Sequence, residues 1–187
     1  MIEKYFEKSI AVKNSALLDK VFLENATRAR QQIHDSLIAG KRVYIAGNGG
    51  SAADSQHFSA ELLGKYKSMR RAFPAIALTT DSSMLTAWSN DTSFDFIFSR
   101  QLEGLGQKGD IFVAISAGGN SPNITEALKV ANSAGMISIC LLGKGGGKAK
   151  EICAIPIVVP SDVTSHIQEV HITLIHFFSE SLEDLAP

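Results

Sequence analysis

Five short and nearly continuous apolar runs, residues 42–46, 75–78, 111–115, 137–142 and 155–159, recur along the chain with helix-like stretches between them. A strand with one wet face alternates apolar and polar side chains, whereas a strand that is apolar throughout is covered on both faces. Covered strands alternating with helices predict a parallel sheet with helices packed on either side, the doubly wound α/β arrangement. A chain of 187 residues holds one core of that size. The expectation is a single domain over residues 1–187, with a five-stranded α/β core over 41–187.

Residues 1–40 carry no strand signal. Their apolar residues (Ile10, Leu17, Leu18, Val21, Phe22, Ala26, Ala29, Ile33, Leu37) recur at helical spacing and Gly40 ends the pattern, which reads as two helices or one with a break. This N-terminal helical extension packs either on a second subunit or across its own sheet, and spacing leaves both open. A last helix over residues 161–185 carries Ile167, Val170, Leu174, Ile175, Phe178 and Leu182 as its apolar stripe.

The 18 basic and 19 acidic residues nearly cancel, and no block of consecutive Lys/Arg occurs, so no electrostatic footprint for nucleic acid or an anionic membrane is present. Any anion must be caught locally. The first residues interleave charged with apolar side chains, unlike a secretory signal, and no run is long enough to span a bilayer. Cys140 and Cys153 lie in or beside strand-like segments without metal-finger or C-x-x-C spacing, and read as buried reduced thiols. These features predict a cytoplasmic protein.

In an open parallel sheet, ligands bind beyond the carboxyl ends of the strands, where helix N-termini present free N–H groups and the positive end of the dipole. Two loops suit an anion there. After the first strand, Gly47-Asn48-Gly49-Gly50-Ser51 permits close backbone approach, and Ser51-Ala52-Ala53-Asp54 reads as a helix start. After the third, Ser116-Ala117-Gly118-Gly119-Asn120-Ser121 supplies hydroxyls and glycines, and Ser121-Pro122 reads as an N-cap with proline at the first helical position. Either loop alone is explained by a tight turn and a capped helix; the pair points to a phosphorylated small molecule. Gly47-x-Gly49-x-x-Ala52, with Asp81 beyond the second strand, also fits a loose dinucleotide fingerprint, but a second Ser-rich loop is no part of it and little chain is left for a substrate domain. Lys144-Gly145-Gly146-Gly147-Lys148 lacks the Lys-Ser/Thr pair of a nucleotide loop and reads as a flexible turn.

His57 and Glu61, four apart on the helix after the first loop, share a face, as a surface pair or as part of a site. On the last helix Gln168, His171 and His176 project to broadly one side. Each has an alternative: a capping box for Ser165-x-x-Gln168, solvent exposure for His171, a satisfied core histidine for His176. Spacing does not choose among them. Asn90-Asp91 reads first as a turn, and second as a binder of sugar hydroxyls.

Taken together, residues 47–54, Gln56-His57-Phe58, Glu61-Leu62, Asn90-Asp91, Ser116 through Ser121 and Ile167-Gln168-Glu169-Val170-His171 resemble the phosphoheptose isomerases of the sugar isomerase (SIS) domain superfamily, over nearly the whole chain. The resemblance implies a flavodoxin-like SIS fold and an aldose–ketose isomerase that converts sedoheptulose 7-phosphate to D-glycero-D-manno-heptose 7-phosphate through an enediol, an early step toward the heptose of bacterial surface polysaccharide such as lipopolysaccharide. It implies a substrate site at Asn48, Gly49, Gly50, Ser51, Glu61, Asn90, Asp91, Ser116, Ala117, Gly118, Ser121 and Gln168. It further implies one zinc per subunit at His57, Glu61, Gln168 and His176, with Glu61 and His176 catalytic, no nucleotide cofactor, and a homotetramer with sites at its interfaces. A related SIS protein that binds the replication initiator lacks the glutamate and the final histidine; Glu61 and His176 are both present here. Two positions depart from the family pattern: Ala117 and Gly118 replace hydroxyl residues in the phosphate loop, and Lys65 stands where some relatives carry arginine.

Overall fold

The computed structural model describes residues 1–183. Two helices, α1 (Ile2–Leu18) and α2 (Lys20–Ile38), precede β1 (Val43–Gly47), α3 (Gly50–Leu63), β2 (Ala75–Ala77), α4 (Ser82–Asp91), α5 (Ile97–Leu105) and β3 (Ile111–Ser116). Then follow α6 (Pro122–Ser133), β4 (Ile137–Leu142), α7 (Gly147–Ile152), β5 (Ile155–Val158) and α8 (Thr164–Glu180). All five expected strands form, within a residue or two. They pair in parallel in the order β2-β1-β3-β4-β5.

The apolar runs are explained by two separate cores. Val43, Ile45, Ile111, Val113, Ile115, Ile139 and Leu141 face one side, against α2, α3 and α8; Tyr44, Ala46, Phe112, Ala114, Cys140 and Leu142 face the other, against α5, α6 and α7. Alternation across the pleat therefore distributes apolar side chains to both faces rather than to one. Pro156 lies in the edge strand β5, where a missing N–H is tolerated. Cys140 is buried and Cys153 half-buried, both as free thiols.

Strand order reverses between β1 and β3, so the loops leaving these neighbours diverge and open a crevice at their carboxyl ends. Both glycine-rich loops identified in the sequence leave from there.

The N-terminal region is two helices broken at Asp19, whose carboxylate accepts from the Phe22 N–H at 3.1 Å as the α2 N-cap. The two helices differ in their packing. Phe22, Ala26, Ala29, Ile33 and Leu37 of α2 are buried across the sheet of their own subunit, whereas Ile2, Phe6, Ile10, Leu17 and Leu18 of α1 are exposed. Helix α1 is fastened to α8 through Tyr5 and Ser9, which donate to the Glu169 carboxylate. The last helix starts at Thr164 rather than at residue 161 and ends at Glu180; Leu185 falls outside the described residues.

Candidate functional site

A cavity of about 250 Å³ opens at the crevice between β1 and β3, bounded by Asn48, Ser51, Ser116, Ala117, Gly118, Ser121 and, from α8, Gln168. The two loops are tied by a reciprocal amide pair: Asn48 Nδ2 donates to Asn123 Oδ1 and Asn123 Nδ2 to Asn48 Oδ1, both at 2.9 Å. Asn123 is buried on the first turn of α6 and was not marked by sequence; an asparagine just inside a Ser-Pro helix start was the available signal. Gly50 is a close-approach glycine, since a Cβ there would stand 2.7 Å from Gln168 Nε2.

The loops start their helices differently. Gly49, at φ 56°, is the N-cap of α3, so Ser51 lies inside the first turn rather than capping it. The Ser51 and Ala52 N–H groups are already engaged by the Asn48 and Gly49 carbonyls, both at 3.0 Å. Ser121 does occupy the α6 N-cap with Pro122 after it, yet its hydroxyl makes no capping bond and remains free to meet a ligand. Ser116 Oγ accepts from the Gly119 N–H at 3.2 Å and keeps its own proton to donate. Asp81, the acid of the dinucleotide reading, spends its carboxylate on capping α4 through the Met84 N–H at 3.0 Å.

A second cluster lies farther along α3. His57 Nε2 stands 3.1 Å from Glu61 Oε1 and 3.3 Å from His176 Nε2, which reaches it from α8 across 119 positions of sequence. The Tyr66 ring lies beside His176, centroids 5.9 Å apart. Of the alternatives on the last helix, His176 is the histidine at the cluster. His171 is fully buried, its Nε2 3.1 Å from the Leu142 carbonyl, and burial depresses its pKa to about 4. The capping box does not form, since Val163 is the α8 N-cap, and Gln168 turns its side chain to the cavity.

The ends of α3 and α8 are clamped together by a buried arginine that sequence reasoning missed. Arg70 donates to the carbonyls of Glu61 (2.6 Å) and Leu62 (3.0 Å) and pairs with Glu183 (3.3 Å) just past α8. Its guanidinium also stacks on Phe73, 4.5 Å from the ring centroid. The Ser68 hydroxyl and backbone, then Arg70, hold the Glu183 carboxyl down at about 2. Asp54, one turn before His57, is half-buried; burial raises its carboxyl, and its Oδ2 finds no partner among the described residues.

Asn90 and Asp91 are not brought to either cluster within the chain. They sit exposed at the end of α4, where the Asn90 amide donates to Asp91 Oδ1 at 2.9 Å.

The donor set of His57, Glu61 and His176 suits a divalent metal. One donor atom from each lies within 4.8 Å of the others. Donors on a tetrahedral zinc with bonds of about 2.0–2.1 Å stand roughly 3.3 Å apart. The 3.1 and 3.3 Å separations already match that spacing, with both imidazoles turning Nε2 inward. Of the four ligands the resemblance implies, these three converge; Gln168 lies two turns earlier on α8, its amide against Gly50 in the cavity wall.

Residues 5–143 match the family model described as the SIS domain. The chain is 53% identical over 156 residues to a phosphoheptose isomerase of Campylobacter concisus, covering 83% of this chain and 82% of that one. A solved phosphoheptose isomerase from Neisseria gonorrhoeae superposes with a TM-score of 0.91 at 39% identity, covering 98% of this chain and 97% of the other. One from Francisella tularensis gives 0.93 at 33% identity, over 98% and 96%.

Proposed function

The chain belongs to the SIS domain family, and we propose that it is an aldose–ketose isomerase converting sedoheptulose 7-phosphate to D-glycero-D-manno-heptose 7-phosphate. The observation that carries this reading is the convergence of His57 and Glu61 with His176 on helices that flank a hydroxyl-lined cavity. A sugar phosphate needs both parts: a cradle for its anionic end and proton-transfer groups at the other.

In this reading Ser116, Ser121 and the backbone of Ala117 and Gly118 hold the phosphate, while Asn48, Gly49, Gly50, Ser51 and Gln168 line the path of the sugar. Glu61 removes the C1 proton of the ketose as the C2 oxygen gains one, which forms the enediol. Return of a proton to C2 and loss of the O1 proton give the aldose. His176 is the partner that moves the oxygen-borne proton. His57, Glu61 and His176 would hold zinc, with Gln168 a fourth ligand once its amide leaves the cavity wall, and zinc when bound supplies polarisation of the carbonyl oxygen. Arg70 keeps Glu61 in place through its carbonyl.

The exposed apolar side of α1 supports the expected homotetramer, because contiguous apolar surface is normally covered by a partner. A site completed by a second copy gives the exposed Asn90 and Asp91 a route to the sugar. No described helix is long and apolar enough to cross a membrane. In this reading the reaction takes place in the cytoplasm and supplies heptose for surface polysaccharide.

The test is turnover of sedoheptulose 7-phosphate by the purified chain, before and after exhaustive chelation. Activity lost on chelation and restored by zinc supports the reading; a protein that never isomerises this sugar, with or without zinc, overturns it.

A further inference from the structure

The turn at residues 144–147 is the one motif singled out in the sequence that the proposed function leaves idle. It is not a loose connection. Lys144, Gly145, Gly146 and Gly147 all have positive φ (50°, 76°, 96° and 54°), and Lys144 is the only non-glycine with positive φ among the described residues. Three of the four positions carry the residue that tolerates this backbone, and the first does not.

The turn is locked against the loop after β3. A Cβ on Gly119 would stand 1.9 Å from the Gly146 carbonyl oxygen, and one on Gly147 would stand 2.5 Å from the Gly118 oxygen. The Ala149 N–H donates to the Gly119 carbonyl at 2.9 Å, the Lys148 N–H to Asn120 Oδ1 at 3.1 Å, and the Lys144 N–H to the Ser161 carbonyl at 3.0 Å. Interlocked in this way, Lys144 lines the same cavity as Ser116, Ser121 and Gln168. It is the single cationic residue among those lining the cavity, and no carboxylate lines it.

A strained backbone persists where the surroundings over-determine it, and such residues cluster at ligand sites. We propose that Lys144 is a substrate-binding residue that neutralises the phosphoryl group in this cavity, standing in for the hydroxyls absent at Ala117 and Gly118. A lysine suits the task, being a point charge on a flexible stem that reaches an anion without a fixed fork. The inference rests on the sugar-phosphate reading of the site, but its test does not require turnover.

The experiment titrates inorganic phosphate into the full chain and its Lys144→Gly and Lys144→Gln variants by calorimetry. It also records Tm without phosphate and KM and kcat for sedoheptulose 7-phosphate. Loss of a charge-assisted contact weakens phosphate binding by about tenfold or more in both variants, and KM rises by a similar factor with kcat changed less. Lys144→Gly, relieved of the positive φ, melts no lower than the parent, which separates the loss of binding from a loss of folding. Parental phosphate affinity in Lys144→Gln overturns the proposal. If both variants lose phosphate binding while the parent fails to isomerise the sugar, the anion site stands and the substrate assignment falls.

Discussion

The cavity at the strand ends and the His57–Glu61–His176 cluster are built from different materials. The cavity is mostly backbone and short side chains, fixed by two neighbouring central strands and cross-linked by the Asn48–Asn123 amide pair. The cluster consists of long side chains on the surfaces of two helices that meet late in the fold and are held at their ends by Arg70 and Glu183. On the function proposed, rigid sheet geometry suits recognition of a fixed phosphate, and half-exposed side chains borne on helices suit proton transfer.

Substitutions that affect one region and spare the other test this division. The largest effect is expected from His176→Ala, which lowers turnover on the order of 1000-fold while leaving inorganic phosphate affinity within twofold of the parent. Steady-state kinetics beside phosphate calorimetry check it, and a parallel loss of phosphate binding would merge the two regions into one.

Arg70→Met removes a fully buried guanidinium, leaves the Glu61 and Leu62 carbonyls without their donor, and takes from Glu183 its ion pair while the Ser68 contacts remain. Breaking a buried pair at one partner costs about 4 kcal/mol, to be read from denaturant unfolding.

His171 is buried against the Leu142 carbonyl, neutral in the fold, with a pKa of about 4 against 6.5 when free. The unfolded chain therefore takes up a proton that the folded chain refuses between these values. Stability falls as pH drops through 6.5 and the loss is complete near 4, about 3 kcal/mol for a shift of this size. His171→Gln should flatten that part of the stability–pH curve relative to the parent.

The smallest effect is a gain. Gly118 has open space where a Cβ would go and no positive φ, so Gly118→Ser returns a hydroxyl to the phosphate loop. One added hydrogen bond tightens phosphate binding about fivefold.

The cavity was the more legible region. Five covered strands fixed the sheet, and the glycines and serines after the first and third runs marked the crevice, because turn chemistry is local. The helix start read at Ser51 falls one residue late, because Gly49, at positive φ, caps α3 through backbone geometry that the sequence states only as another glycine. The cluster was half legible. His57 and Glu61 declared themselves by i,i+4 spacing, but the choice of His176 over His171 depends on how α8 rotates against the sheet, and only resemblance to a family supplied it. Arg70 and Asn123 escaped notice, and Lys144 was read only as part of a flexible turn, because the contacts that position these residues span long stretches of chain.

The division between a phosphate cradle and a proton-transfer cluster stands or falls on Glu61→Gln, which preserves shape and removes the base. In D2O, the parent should exchange the C1 hydrogen of sedoheptulose 7-phosphate and form the aldose. The variant should bind inorganic phosphate as the parent does while exchange and turnover fall by at least ~100-fold. Near-parental exchange in Glu61→Gln would contradict the assignment of Glu61 as the base, and with it the separation of the two regions.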